Sequence, residues 1–313
     1  MSPRRGLGPT GSLSAARAAQ RRGADTESVA PLVKGRRRIA LGIEYDGTDF
    51  SGWQLQVPPV RTVQGCLETA LSRVADQEVT VHCAGRTDAG VHALEQVVHF
   101  DTEAERSMRA WVLGTNTNLP GDINVLWAHP IADAFHARFS ATARHYCYRV
   151  LTRATRSALW RCRAAWEHRA LDLEAMRTAG AVLVGEHDFS SFRAVACQAK
   201  SPVRRLHYLV LERDDDLIDL RVGADGFLHH MVRNIAGVLL AIGRGEASSS
   251  WTRELLAVRD RTCGGVTAPP QGLYLTRIDY PAHFALPQLT TGVPASASVM
   301  SIQQGWALRC QSD

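Results

Sequence analysis

Between residues 38 and 287 the chain alternates two hydrophobic rhythms, with no long linker separating them. Strand-like runs repeat every second residue, and helix-like runs return every three to four. Residues 38–45 alternate and stop at Asp46-Gly47, a turn pair. Residues 63–75 place Val63, Cys66, Leu67, Ala70, Leu71 and Val74 on one helical face. Strands predicted over 79–83 and 96–100 flank a polar loop, 85–93, and further strands fall at 123–128 and 145–151. A second set follows: helix 173–184, strands 206–211 and 217–222, helix 228–243 and strand 273–278. This mixture predicts an α+β fold, with helices packed on a largely antiparallel mixed sheet. The halves 38–150 and 151–287 carry similar content without a convincing repeat, so duplication rests on pattern alone.

A chain of 313 residues is about two domains long at roughly 150 residues each. No apolar stretch approaches the ~18 residues that a membrane-spanning helix requires. The net charge of +5 invites a nucleic-acid reading, but the charge is unevenly placed. Residues 1–38 hold nine basic and two acidic side chains, +7, which leaves the remainder at −2. The basic balance therefore belongs to an arm, residues 1–37, of low complexity. Its first 24 residues lack acids and are rich in Arg, Ala, Ser and Gly. That composition fits a disordered extension, a start assigned too far upstream, or an organellar transit peptide. Residues 288–313 are aperiodic and read as a loose C-terminal tail.

Seven cysteines, at 66, 83, 147, 162, 197, 263 and 310, show no CxxC pair and no zinc-ligand spacing. Neither a disulfide framework nor a structural metal is suggested, and a reducing cytoplasm fits best. His229 and His230 are adjacent inside the predicted helix 228–243. Helical neighbours point about 100° apart, which makes the pair a poor chelate.

The segment Cys83-Ala84-Gly85-Arg86-Thr87-Asp88-Ala89-Gly90-Val91-His92-Ala93 sets two glycines and four polar side chains between apolar strands. Glycine lets another backbone or a ligand approach closely. Arg86 and Asp88 are two apart, so on extended backbone they share one face. A neighbouring guanidinium favours the ionised carboxylate that a nucleophile needs. By these generic features alone, the segment reads equally as a surface turn with a solvated arginine.

The full string is more specific. Gly85–Ala93, GRTDAGVHA, resembles the signature loop of the TruA-type tRNA pseudouridine synthases. The resemblance runs from about Ile39 to Pro287. It takes in IEYDGTDFSGWQ (43–54), QVVHFDT (96–102), NLPGDI (118–123) and FHARFSATARHYCYRV (135–150). HDFSSFRA (187–194), FLHHMVRNIAG (227–237) and QGLYL (271–275) follow in the family's order. The two tails lie outside it.

The resemblance implies a pseudouridine synthase fold, with a central RNA-binding cleft between two similar halves. It implies isomerisation of uridine to pseudouridine without a cofactor or energy input. The N1–C1′ bond breaks, the base rotates, and C5 rejoins C1′. By motif position Asp88 is the nucleophile, acting on C1′ or on the base. Chemistry on a stacked base requires extruding it, at a cost of a few kcal/mol. Arg86 would help fill the space left behind and orient Asp88. Tyr146 matches the tyrosine that stacks on the target base and assists proton removal from C5; Tyr148 lies on the same strand face. Arg233 matches a basic residue set against the aspartate, although its place two residues off the stripe Met231, Ile235, Val238, Leu239 and Ile242 also suits a solvated arginine. Leu273 would form the apolar wall beneath the uracil, or serve simply as core.

Arg138, Arg144, Arg193, Arg204 and Arg205 are candidate phosphate contacts, and His145 stands where relatives often carry a basic residue. Arginine outnumbers lysine 34 to 2, which suits bidentate phosphate binding and equally a GC-rich genome. The resemblance further implies a cytoplasmic homodimer with one tRNA touching both subunits. The target would be the anticodon stem-loop, at uridines 38, 39 and 40 by tRNA numbering. Two other classes compete: an RNA-binding protein that has lost catalysis, and a glycoside hydrolase acting through paired acids. Intact Asp88, Arg86 and Tyr146 weigh against the first, and the lack of a second acid near the loop against the other.

Overall fold

A computed structural model describes residues 35–287. The C-terminal tail, and all but the last three residues of the N-terminal arm, lie outside the described residues. The architecture is α+β, as the alternating rhythms predict. In chain order, the first half holds β1 (Arg37–Tyr45), α1 (Val63–Ala75), β2 (His82–Cys83), β3 (His92–Thr102), α2 (Met108–Asn118), β4 (Ile123–Ile131) and β5 (Ala143–Thr152). The second holds β6 (Ala165–Glu167), α3 (Leu173–Ala181), β7 (Gly185–Asp188), β8 (Val203–Asp214), β9 (Leu217–Ala224), α4 (Met231–Gly243), α5 (Trp251–Val258) and β10 (Leu273–Asp279).

All ten strands join one sheet, whose main path runs β4-β1-β3-β10-β5-β9-β8-β7. Every ladder is antiparallel except β10 with β3 and β5 with β6. The halves are thus continuous. β5 spans the 150/151 division, and the last strand, β10, returns to lie between β3 of the first half and β5. The β3–β10 ladder is short, with Tyr274 opposite His92 and Leu275 opposite Ala93. The middle of the sheet is therefore where two otherwise well-paired blocks meet along a brief seam.

The helices follow their sequence signals. Thr62 caps α1 by accepting the Gly65 N–H, and Val63, Leu67, Ala70, Leu71 and Ala75 are buried. In α4 the stripe Met231, Ile235, Val238, Leu239 and Ile242 is buried as read, and most of the helix surface is buried with it. Burial all round is the mark of a central helix. α4 is shorter than the predicted 228–243, because His230 sits in the left-handed region (φ 61°) and the helix begins at Met231. The 79–83 strand likewise shrinks to His82–Cys83. α2 carries no clean apolar stripe in the sequence, whereas α5 sets Trp251, Leu255 and Val258 on one face over only eight residues; each buries only two side chains, Trp111 and Thr115 in α2, Thr252 and Leu255 in α5.

Candidate active site

The loop before β3 is held on several sides while the Asp88 side chain stays partly open. The Gln96 side chain bonds both the N–H and the C=O of Gly85. The Thr87 and Tyr45 hydroxyls lie 2.9 Å apart, Trp53 N–H donates to the Thr87 carbonyl at 3.0 Å, and Gly90 N–H to that of Phe50 at 3.3 Å. The segment 46–53 thus seats the loop, which explains its two glycines. A Cβ at position 47 would lie 2.0 Å from the Val91 carbonyl oxygen. Gly52 has φ +94°, with the Thr87 carbonyl oxygen 2.9 Å from where its Cβ would be.

From this platform Asp88, with 24% of its side chain exposed, meets Arg233 from α4. Arg233 Nη1 donates to Asp88 Oδ2 at 3.0 Å, joining residues 145 positions apart. Its Nε donates to the Ala268 carbonyl at 2.8 Å, so the guanidinium is fixed from two directions. Only 14% of the Arg233 side chain is exposed, which removes the solvated reading. The short-range pairing of Arg86 with Asp88 is corrected: Arg86 is exposed, and the arginine on Asp88 comes from the other half.

Two residues at the site were misread in sequence. His229 Nε2 lies 3.5 Å from Asp88 Oδ1, and His230 Nε2 lies 3.2 Å from Oδ2. Their rings are 4.0 Å apart. Because both precede α4, the 100° helical offset does not apply, and the left-handed turn at His230 brings both imidazoles onto one carboxylate. The pair is therefore not the poor chelate that helix geometry implied: its ligand nitrogens and an Asp88 oxygen all lie within 4.8 Å of one another. Burial lowers the His230 pKa, against the opposing pull of Asp88, so this ring favours its neutral form.

Tyr146 lies in the middle of β5, opposite Leu275 of β10 and Val222 of β9. An ideal Cβ at Gly85 would sit 3.7 Å from its hydroxyl, which places the ring against the catalytic loop. Phe227 packs edge-on to it, with centroids 5.1 Å apart. Burial raises the Tyr146 pKa, and the Asp88 charge adds to this while Arg144 opposes it. Tyr148 is committed elsewhere, donating to the Pro269 carbonyl at 2.9 Å. Leu273 is buried at the head of β10, opposite Tyr148.

The arginines expected at phosphates divide. Arg144 is corrected from phosphate contact to brace: its Nη1 donates to the Ala141 and Asp225 carbonyls and its Nη2 to those of Ala84 and Arg138. His145 is buried between the Tyr208 hydroxyl and Asp279. Arg204 donates to the Ser201 and Val203 carbonyls, and Arg205 pairs with Glu186 at 3.4 Å on the surface. Arg138 is exposed and Arg193 half-buried.

One carboxylate, one guanidinium, two imidazoles and a buried phenol thus converge where the halves meet. A family model described as tRNA pseudouridine synthase matches residues 42–140 and 179–281. The chain belongs to the tRNA pseudouridine synthase family. A protein of Nitrosococcus oceani named tRNA pseudouridine synthase A is 60% identical over 256 residues, 82% of this chain and 98% of that one. Proteins of the same name from Alcanivorax borkumensis and Methylococcus capsulatus are 56% and 58% identical, over 82% and 80% of this chain and 96% and 92% of theirs. Among synthase segments, the first matched block holds Asp88 and its loop and the second holds Arg233 and Leu273, while Tyr146 falls between the two.

Proposed function

We propose that this chain isomerises uridine to pseudouridine in the anticodon stem-loop of tRNA, at positions 38, 39 and 40, with Asp88 as nucleophile. The observation that carries this reading is the 3.0 Å ion pair between Asp88 and Arg233, which joins the signature loop to the opposite half of the molecule. Members of the family convert uridine to pseudouridine in tRNA. Here the target base is extruded from its stack into the space beside Asp88, with Tyr146 and Leu273 as its apolar walls. Arg86, exposed on the same loop, fills the gap in the RNA.

Asp88 Oδ2 lies 3.0 Å from Arg233 and 3.2 Å from His230, whereas Oδ1 meets His229 at the longer distance of 3.5 Å. Oδ1 is therefore the oxygen free to attack, whether at C1′ or on the base. The N1–C1′ bond breaks with its electron pair on the uracil, the ring turns so that C5 bonds C1′, and the bond that Asp88 Oδ1 made to C1′ or to the base breaks with its electron pair returning to the carboxylate. The C5 proton then leaves and N1 gains one, so that product and substrate are isomers and no co-reactant is consumed. Arg233 holds the carboxylate in place throughout, and Tyr146 is the phenol nearest the proton that must leave C5.

Arg138, Arg193 and Arg205 are proposed to meet tRNA phosphates, with two copies of the chain sharing one tRNA in the cytoplasm. Among the described residues no helix is long and apolar enough to cross a membrane. The test is a map of pseudouridine in tRNA from cells with and without this protein. Loss confined to positions 38–40 supports the assignment; loss elsewhere, or none, overturns it.

A further inference from the structure

Phe139 is a large apolar side chain in the open, 68% exposed. It is not on a floppy segment. His136 N–H donates to the Ser140 hydroxyl at 3.0 Å, and Ser140 N–H returns to the His136 carbonyl at 2.9 Å. The N–H groups of Arg138 and Phe139 both donate to His136 Nδ1, at 3.1 and 3.3 Å. The His136 ring lies 4.3 Å from the Phe139 ring, tilted 34°, and supports one side of it. Behind His136 stand His99, at 4.6 Å, and His82, at 5.5 Å. An exposed phenylalanine backed by a column of imidazoles on a closed turn loses little freedom when something stacks on it.

The turn is also coupled to the catalytic loop. One guanidinium group, Arg144 Nη2, donates to the carbonyls of both Arg138 and Ala84, four residues before Asp88. Arg138 lies 5.6 Å from the Phe139 ring centroid and is exposed. An exposed aromatic face beside an exposed arginine is the chemistry that binds an unpaired nucleobase together with its phosphate, and a purely apolar partner would leave this arginine without a counter-charge.

We propose that Phe139 is a stacking platform for an unpaired base of the substrate RNA, seated on His136, with Arg138 on the adjoining phosphate. This rests on the reading of the protein as a tRNA isomerase and adds to it a contact away from the reacting uridine. Stacking on an aromatic side chain contributes about 1–3 kcal/mol per base when measured by alanine replacement.

The test compares Phe139→Ala, Phe139→Leu and Phe139→Tyr with wild type in tRNA affinity, in KM and kcat, and in oligomeric state. Wild-type activity on the same tRNA is established first; its absence would be a failure of the isomerase reading, not of this one. The expected result is tRNA affinity weakened about tenfold in the alanine and leucine variants, close to wild type in the tyrosine variant, with kcat and thermal unfolding little changed. Leucine matches the apolar bulk without a π face, so a leucine variant that binds like wild type overturns the proposal. So does an alanine variant with unchanged affinity, and so does one whose main change is loss of self-association, which would assign the surface to a second copy of this chain.

Discussion

At the scale of single residues, the two oxygens of Asp88 have unequal surroundings, and this inequality assigns roles. Oδ2 lies 3.0 Å from Arg233 and 3.2 Å from His230, and Oδ1 lies 3.5 Å from His229. Asp88→Asn keeps the shape and removes the nucleophile; pseudouridine formation should fall by ~10³-fold or more while tRNA binding stays near wild type. Substantial turnover in single-turnover assays would remove Asp88 from its role. Arg233→Gln should lower kcat by about 10²-fold, the usual effect of losing one preorganised charged donor, with a smaller change in KM. The Asp88–His229–His230 cluster adds a prediction about metals. Added Zn²⁺ should bind all three groups and inhibit the enzyme, less so in His229→Ala, because a zinc ion takes three such ligands readily. Chelator-treated wild type should remain active; a loss that metal restores would contradict a mechanism built on the free carboxylate.

Asp88, Tyr146 and Leu273 enter as candidates through their motifs, and Arg233 through its motif against its position on the helix. The pairing of Arg233 with Asp88 was legible only through the resemblance, which sets a basic residue against the aspartate, because a pair separated by 145 positions leaves no local pattern. His229 and His230 were missed because a helix boundary placed three residues early converts a convergent pair into a divergent one.

Among the elements, strands carry the account. β5 joins the two halves and presents Tyr146, and its neighbouring Arg149–Asp219 pair pins it to β9. Arg149 donates to Asp219 through Nε and Nη2 at 2.8 and 2.9 Å, and both side chains are nearly buried. Asp219→Ala leaves a buried guanidinium unpaired and should cost about 3–5 kcal/mol in a denaturant melt; a change below 1 kcal/mol would show the pair to be replaceable. On β3, burial and then the His136 charge push the His99 pKa down to about 3. Arg38 and His82 push the same way, and only Asp101 opposes them. The folded value lies below the ~6.5 of an unfolded histidine. The stability His99 contributes by staying neutral is therefore complete above pH ~6.5 and is lost as pH falls toward 3. His99→Gln should flatten the stability profile between pH 6.5 and 4, and an unchanged slope there would contradict this.

Strand identity was readable from β-rich runs bounded by turn residues rather than from strict alternation, since β1, β3 and β5 are buried almost continuously along their length. Strand extent was less so, since pairing extended β8 to twelve residues, Val203–Asp214, through polar ends that carry no apolar signal. α2 was missed because its sequence carries little helical periodicity, and α5 because its apolar face spans only eight residues.

For the whole molecule, the sheet order explains why the site lies where it does. β10 crosses back to part β3 from β5, and the seam it makes is short. Groups from both halves reach Asp88 there. The +5 net charge does not describe this site, because +7 sits in residues 1–38 and the rest of the chain is slightly acidic. Deletion of residues 1–34 should leave kcat on tRNA unchanged. The central claim is that Asp88 isomerises uridines 38–40 of tRNA. The most direct test is to incubate unmodified tRNA with purified wild type and with Asp88→Asn, then map pseudouridine at single-nucleotide resolution. The account predicts pseudouridine at 38–40 with wild type and none with Asp88→Asn; modification elsewhere, or modification that persists without the carboxylate, would contradict it.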